Sequence, residues 1–171
     1  MLKKFALFMA LFMALLPVMA MGQSKVAVVD MKGVFDAMPE KAAAEQQLSD
    51  LSARYQAEYD MLKTEFSKKY ADYQAIAGDA TTPATIRDRR IQEIQENDRK
   101  ISEFEQNTRN DINQQREQLL APIKAKLQAA IKTVADANGI TVVLDKGQGV
   151  VYASPEAIDI TGQVKQRLGI E

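Results

Sequence analysis

The chain has 171 residues and is close to neutral, with 22 Lys and Arg against 23 Asp and Glu. It contains no histidine, cysteine or tryptophan, which excludes imidazole bases, thiolate nucleophiles, disulfides and zinc sites that need His or Cys. Its charge leaves no electrostatic footprint for nucleic acid.

The first segment reads as an export signal, residues 1–22. Lys3 and Lys4 precede an apolar run from Phe5 to Leu16, and Ala20 or Gly22 suits cleavage. The run is too short for a comfortable membrane span. Without Lys3 and Lys4 the balance is 20 basic to 23 acidic residues. The expected mature protein is exported and soluble.

Lys25 to Asp30 is β-branched and apolar on both faces, as in a buried strand. Val34, Phe35 and Met38 then suit a short amphipathic helix, and Pro39 fits the first turn of the next one.

A long arm follows, in which Leu48, Leu51, Tyr55, Tyr59, Leu62, Phe66, Tyr70, Tyr73 and Ala77 recur at steps of three, four and four. These steps make an eleven-residue repeat, roughly 3.67 residues per turn, so the apolar stripe stays nearly straight. Asp50 with Arg54 and Glu65 with Lys69 are spaced for ion pairs on the outer face. Gly78 suits a left-handed helix end, and Thr82 before Pro83 suits an N-cap.

The second arm reaches about Ala137, with Ile101, Ile112, Ile123 and Val134 each eleven apart. Glu96 with Lys100 and Glu105 with Arg109 are further expected pairs. From Leu119 to Val134 the apolar arc widens, as when a helix leaves a two-helix seam and enters a body. Pro122 removes one backbone hydrogen bond, so a bend is expected near Gln118 to Pro122, either a hinge or a fixed fit to the body. Asn138-Gly139 ends the helix.

Ile140 to Asp145 is a second strand and Val150 to Ala153 a third, joined by a turn into a hairpin. Asp159 or Thr161 caps a last amphipathic helix carrying Ile160, Val164 and Leu168. The expected fold is α+β. A small strand-containing body, residues 23–39 and 138–171, carries a long antiparallel helical hairpin, residues 40–137. Such a hairpin encloses little volume, which points to self-association.

No Gly-rich phosphate loop precedes a helix, and no acidic cluster has the spacing of a calcium loop. No cofactor, no metal and no enzymatic activity are expected. Tyr55, Tyr59, Phe66, Tyr70 and Tyr73 lie on the hairpin's inner arc and read first as seam. Aromatic and flexible apolar residues also suit promiscuous contacts with client chains. Met61 falls opposite that arc and is expected exposed, a further client-contact candidate.

This order of pieces resembles the periplasmic Skp (OmpH-like) chaperone family. The matching residues are Val26-Ala27-Val28-Val29-Asp30, the Gln/Lys/Glu-rich hairpin, Val142-Val143-Leu144-Asp145, Val150-Val151-Tyr152 and Asp159-Ile160-Thr161. The resemblance implies a homotrimer joined through its strands, with three hairpins around a cavity. It also implies the periplasm as location and an ATP-independent holdase for unfolded outer-membrane β-barrel proteins. The alternative is an envelope coiled-coil adaptor bridging fixed protein partners. Family members are credited with binding lipopolysaccharide and anionic membrane. Here residues 60–99 carry seven basic against eight acidic residues, so that property is not carried over. The cluster Arg87, Arg89 and Arg90 reads first as a solvated helix face, with an anion site as the alternative.

Overall fold

The computed structural model describes residues 25–170, so the expected signal segment lies outside the described residues. In chain order the elements are β1 (Lys25–Val29), α1 (Met31–Asp36), α2 (Pro39–Ala77), α3 (Ala84–Ala137), β2 (Ile140–Asp145), β3 (Ile158–Asp159) and α4 (Thr161–Leu168). This is the expected α+β arrangement.

The two long helices have 39 and 54 residues, about 58 and 81 Å at 1.5 Å per residue. They lie antiparallel along one seam. Because α3 is the longer, its last turns run past the start of α2 into the body. There Ile123, Leu127, Ala130, Val134 and Ala135 are buried, where the widened apolar arc placed them. They join Ala27, Val29, Val34, Met38, Ala44, Ile140, Ile160 and Val164 in one core. One face of the sheet, α1, α4 and the roots of both arms therefore share a single hydrophobic cluster.

The strands form one sheet in the order β2-β1-β3, with both pairs parallel. The expected hairpin between Ile140–Asp145 and Val150–Ala153 is not formed. After Asp145 the chain turns, with Gln148 N–H donating to the Asp145 carbonyl at 3.2 Å. It then passes through Val150 to Ala153 without a ladder and pairs only at Ile158 and Asp159, on the far side of β1. A β-branched run becomes a strand only where a neighbour completes its ladder, and this one has no neighbour in the described chain.

Side-chain hydrogen bonds tie the C-terminal ends of the strands together. Asp30 caps α1, accepting from Gly33 N–H at 2.8 Å, while its own N–H donates to Thr161 Oγ1 at 3.0 Å. Asp145 Oδ1 accepts from Met31 N–H at 3.3 Å. Asp159 accepts from the N–H and hydroxyl of Thr161, at 2.9 and 2.6 Å, and pairs with Lys146. Partial burial pushes the Asp159 carboxyl up, but these donors outweigh it and hold the group down at about 2.

The break between the arms is built differently from expectation. Gly78 is right-handed, with φ −97°, because the reversal is made by Asp79 instead. Its carboxylate accepts from Thr81 N–H at 2.8 Å and from the hydroxyls of Thr81 and Thr82 at 2.6 and 2.8 Å. The Thr82 hydroxyl is thus a donor to Asp79 and not the acceptor that caps α3; Pro83 occupies the cap position. At the other end Gly139 adopts φ 62°, as a helix stop requires.

Two of the four expected outer-face pairs form, Glu65 with Lys69 at 2.6 Å and Glu96 with Lys100 at 3.3 Å. Asp50 instead accepts from Gln46, and Arg109 donates to the Glu105 main-chain carbonyl. Pro122 sits inside a helix that is continuous from Ala84 to Ala137.

Gly33 is required by the cap it faces. A Cβ there would meet Asp30 Oδ2 at 2.3 Å, so Gly33→Ala must displace the capping carboxylate. The expected cost is about 0.5–2 kcal/mol, read as a lower urea midpoint, with Gly78→Ala as a control in open space.

Candidate functional site

The candidate contact residues divide between seam and surface. Tyr55 is half-buried; its ring meets Phe104 edge-on at 6.0 Å and its hydroxyl donates to Asp111 at 2.6 Å. Tyr59 lies beside Glu105 in a groove between the arms. Phe66 is half-buried and stacks on Tyr70, centroids 6.3 Å apart and planes 7° apart, but Tyr70 itself is 47% exposed. Tyr73 is half-buried, and Ile76 rather than the expected Ala77 continues the stripe. Met61 is 65% exposed, opposite the seam as its position required. Lys63 Nζ lies 6.0 and 5.8 Å from the Tyr59 and Phe66 rings, adding a cationic edge to this aromatic stretch.

The seam is thinly covered. Ala44 is the buried residue of α2. In α3, only Asn97 and Ile101 are buried among the positions before Ile123. Antiparallel helices with one stripe each bury one face and leave its flanks wet. An open groove of about 380 Å³ runs along one flank, between Tyr55, Tyr59, Phe104, Thr108 and Ile112. It is apolar enough to accept a side chain and too open to enclose a small molecule. Pro122 lines a second groove at the arm's root beside Ala43, Ala44 and Gln47, where Glu40 and Lys126 form an ion pair between the helices.

The residues that sequence reasoning missed are on the body. Val26, Val142 and Leu144 are 47%, 44% and 44% exposed, and the register sets Val26 opposite Val142 and Val28 opposite Leu144. They share the sheet face away from the helices. Ile158 at the edge is 42% exposed, and in the loop before it Val151 and Tyr152 are almost bare. The signal was present, since both strands are apolar on both faces while the described helices cover only one.

Among the basic side chains near the arm tip, Arg89 and Arg90 both reach Glu93, at 3.5 and 2.8 Å. Arg87 donates to the Asp79 carbonyl at 2.9 Å. The three are engaged with the chain itself. Among the described residues no group of three or more acidic side chains is placed to hold a metal ion, and no helix is long and apolar enough to cross a membrane.

The fold defines a class: a small α+β body, open on one sheet face, bearing a long antiparallel helical arm. The chain belongs to the OmpH-like outer membrane protein family, whose model matches residues 25–168. It is 26% identical over 149 residues to the chaperone protein Skp of Escherichia coli K12, covering 87% of this chain and 89% of that one. The chaperone protein Skp of Shigella flexneri matches to the same extent. The crystal structure of an OmpH-like protein from Caulobacter crescentus CB15 superposes with a TM-score of 0.70 at 18% identity, covering 84% of this chain and 82% of that one. The chain shares that structure's fold.

The tyrosine hydroxyls give the seam an alkaline limit. Hydrogen bonding to Asp111 first, then burial, raises the Tyr55 hydroxyl above its ordinary 10.0, and Glu105 does the same for Tyr59. A raised folded value stabilises the protonated form, so this contribution is complete below about pH 10 and is lost as pH rises through the shifted value. Tyr55→Phe with Tyr59→Phe should lower the urea midpoint at pH 8 and flatten its decline between pH 9.5 and 11.5. An unchanged midpoint at pH 8 would show that these hydroxyls do not hold the arms together.

Proposed function

We propose that this protein is a periplasmic, ATP-independent holdase for unfolded outer-membrane β-barrel proteins. It works as a homotrimer whose bodies join through the open sheet face and whose arms enclose the client. The observation that carries the reading is that bare apolar face, Val26, Val142 and Leu144, with Val151 and Tyr152 exposed in the loop after β2. An exposed apolar sheet face of this kind on a small body marks an interaction site. It stands at the end of the molecule from which the arm projects. Joining copies there leaves the arms free and facing a common space.

The body is residues 23–39 and 138–171 and the arm residues 40–137. In this assembly the arms do not need a pocket. Many weak contacts from several arms raise the effective concentration for each next contact, so avidity replaces a single strong site. Met61, Tyr70 and the flanks of Tyr55, Tyr59, Phe66 and Tyr73 are the contact surface. A client held apart from other clients cannot pair its strand edges with theirs. Loose holding by scattered contacts permits release without ATP. The near balance of charge along the outer arm, with Arg87, Arg89 and Arg90 already engaged, argues against lipopolysaccharide or an anionic membrane as partner. The reading includes no enzymatic activity and no cofactor.

The mass of the purified protein, alone and with a denatured outer-membrane β-barrel, tests this. The expected result is three copies alone and three copies with one client. Val142→Asp with Leu144→Asp should give monomers that no longer suppress client aggregation, because each buries an unpaired carboxylate in the joint. A wild-type protein that leaves the client to precipitate but still self-associates would favour the adaptor role.

Pro122 serves in this reading as the arm's hinge. The Gln118 carbonyl loses its helical donor there. Pro122→Ala should therefore raise stability, by up to about 3 kcal/mol, and narrow the spread of arm openings measured by small-angle scattering. An unchanged spread would mean that the proline only fits the helix to the body.

A further inference from the structure

The eleven-residue period of α3 puts Ile86, Asn97, Thr108 and Leu119 on one line of the helix, with Ile86 exposed at the tip and the other three along the seam. The line is apolar at both ends and polar at its two middle positions. Asn97 is 1% exposed, yet neither its Nδ2 nor its Oδ1 has a hydrogen-bond partner among the described residues. Thr108 Oγ1, one repeat away, is buried without a partner as well. The most buried side chain of the outer arm is therefore an unpaired amide, in a seam whose other members are mostly half-exposed. The neighbouring line, Ile101, Ile112 and Ile123, is apolar and holds the arms closed beside these layers.

A buried amide that finds no partner when the arms close, and finds water when they part, biases the seam toward opening at that level. The Tyr55–Phe104 ring contact and the Tyr55–Asp111 hydrogen bond set the antiparallel register, which places Asn97 opposite the stretch from Leu62 to Lys69. Parting the arms there uncovers Leu62, Phe66, Ile94 and Ile101, which are half-buried or buried while the arms are closed.

We propose that Asn97 and Thr108 are weak layers built into the hairpin. At these layers the outer arm opens and recloses, and the apolar stripe so uncovered takes extended apolar segments of an unfolded client in place of the opposite helix. The client half of this inference rests on the holdase reading; the opening does not. It removes the choice between seam and client contact, because one stripe serves as seam when closed and as contact surface when open. A register-setting role for Asn97 alone is the competing structural account.

Amide hydrogen exchange on the intact protein tests the opening. Residues 60–68 and 94–108 should exchange roughly 10-fold or more faster than residues 44–51 and 119–127. Asn97→Leu should slow the first two stretches by about 10-fold or more, and Thr108→Val, which keeps the side-chain shape, should slow residues 104–112 a few-fold. Exchange that is unchanged or faster in both variants overturns the weak layers. Split or doubled exchange in Asn97→Leu, with Thr108→Val unchanged, assigns Asn97 to register and overturns them too.

The client role is read separately, as the protein concentration that halves aggregation of a denatured outer-membrane β-barrel. Asn97→Leu should raise it several-fold. Slowed exchange with undiminished holding overturns the client role and leaves the opening standing. A wild-type protein that holds no client overturns the holdase reading and the client role together, while the exchange comparison still decides the seam.

Discussion

Everything in this molecule follows from how little two helices can bury against each other. Each arm has one apolar stripe, and the partner arm covers only the middle of it. Long helices gain their stability from tertiary burial more than from intrinsic propensity. Here that burial is concentrated at the root, where Ile123, Leu127, Ala130 and Val134 enter the body's core with Met38 and Ala44. The outer arm is held instead by the Tyr55 hydroxyl reaching Asp111 across the seam and by ion pairs along each helix. Such contacts orient the helices and contribute little net burial. The consequence is an arm firmly rooted and loosely closed.

The body has the complementary problem. Three parallel strands, one with only two paired residues, have helices on one face alone. Parallel sheets are ordinarily covered on both faces. The aspartates at the strand ends, Asp30, Asp145 and Asp159, spend their acceptors on caps and turns that hold the three strand ends in register. They leave the opposite face untouched. In the proposed assembly, a body completed by neighbouring copies and an arm completed by a guest chain are the same physical device at two scales: surface left bare within the monomer and covered by association.

The periodicity made the arms legible, because 3.67 residues per turn can only be a helix and one stripe can only face another. Met61 and the half-buried tyrosines were placed correctly for the same reason. The run from Val150 to Ala153 misled, because β-propensity describes fit to a neighbouring strand and says nothing about whether that neighbour exists in the chain. Gly78 and Thr82 misled for a local reason. Asp79 takes both threonine hydroxyls, and a carboxylate two residues from a helix end can outcompete a standard cap. The open sheet face was legible only in half: strands apolar on both sides were evident, but not that the helices would choose one side.

Local covalent chemistry and period, written along the chain, determined the two arms, their break, their ends and the absence of histidine and cysteine chemistry. Those properties depend on neighbours a few residues apart. What only the tertiary structure decided were long-range matters: which edge of β1 the last strand joins, which sheet face stays bare, and whether the Asn97 amide finds a partner across the seam. Each of these is settled by which groups remain unpaired after distant segments meet, and sequence spacing alone carries no measure of that remainder.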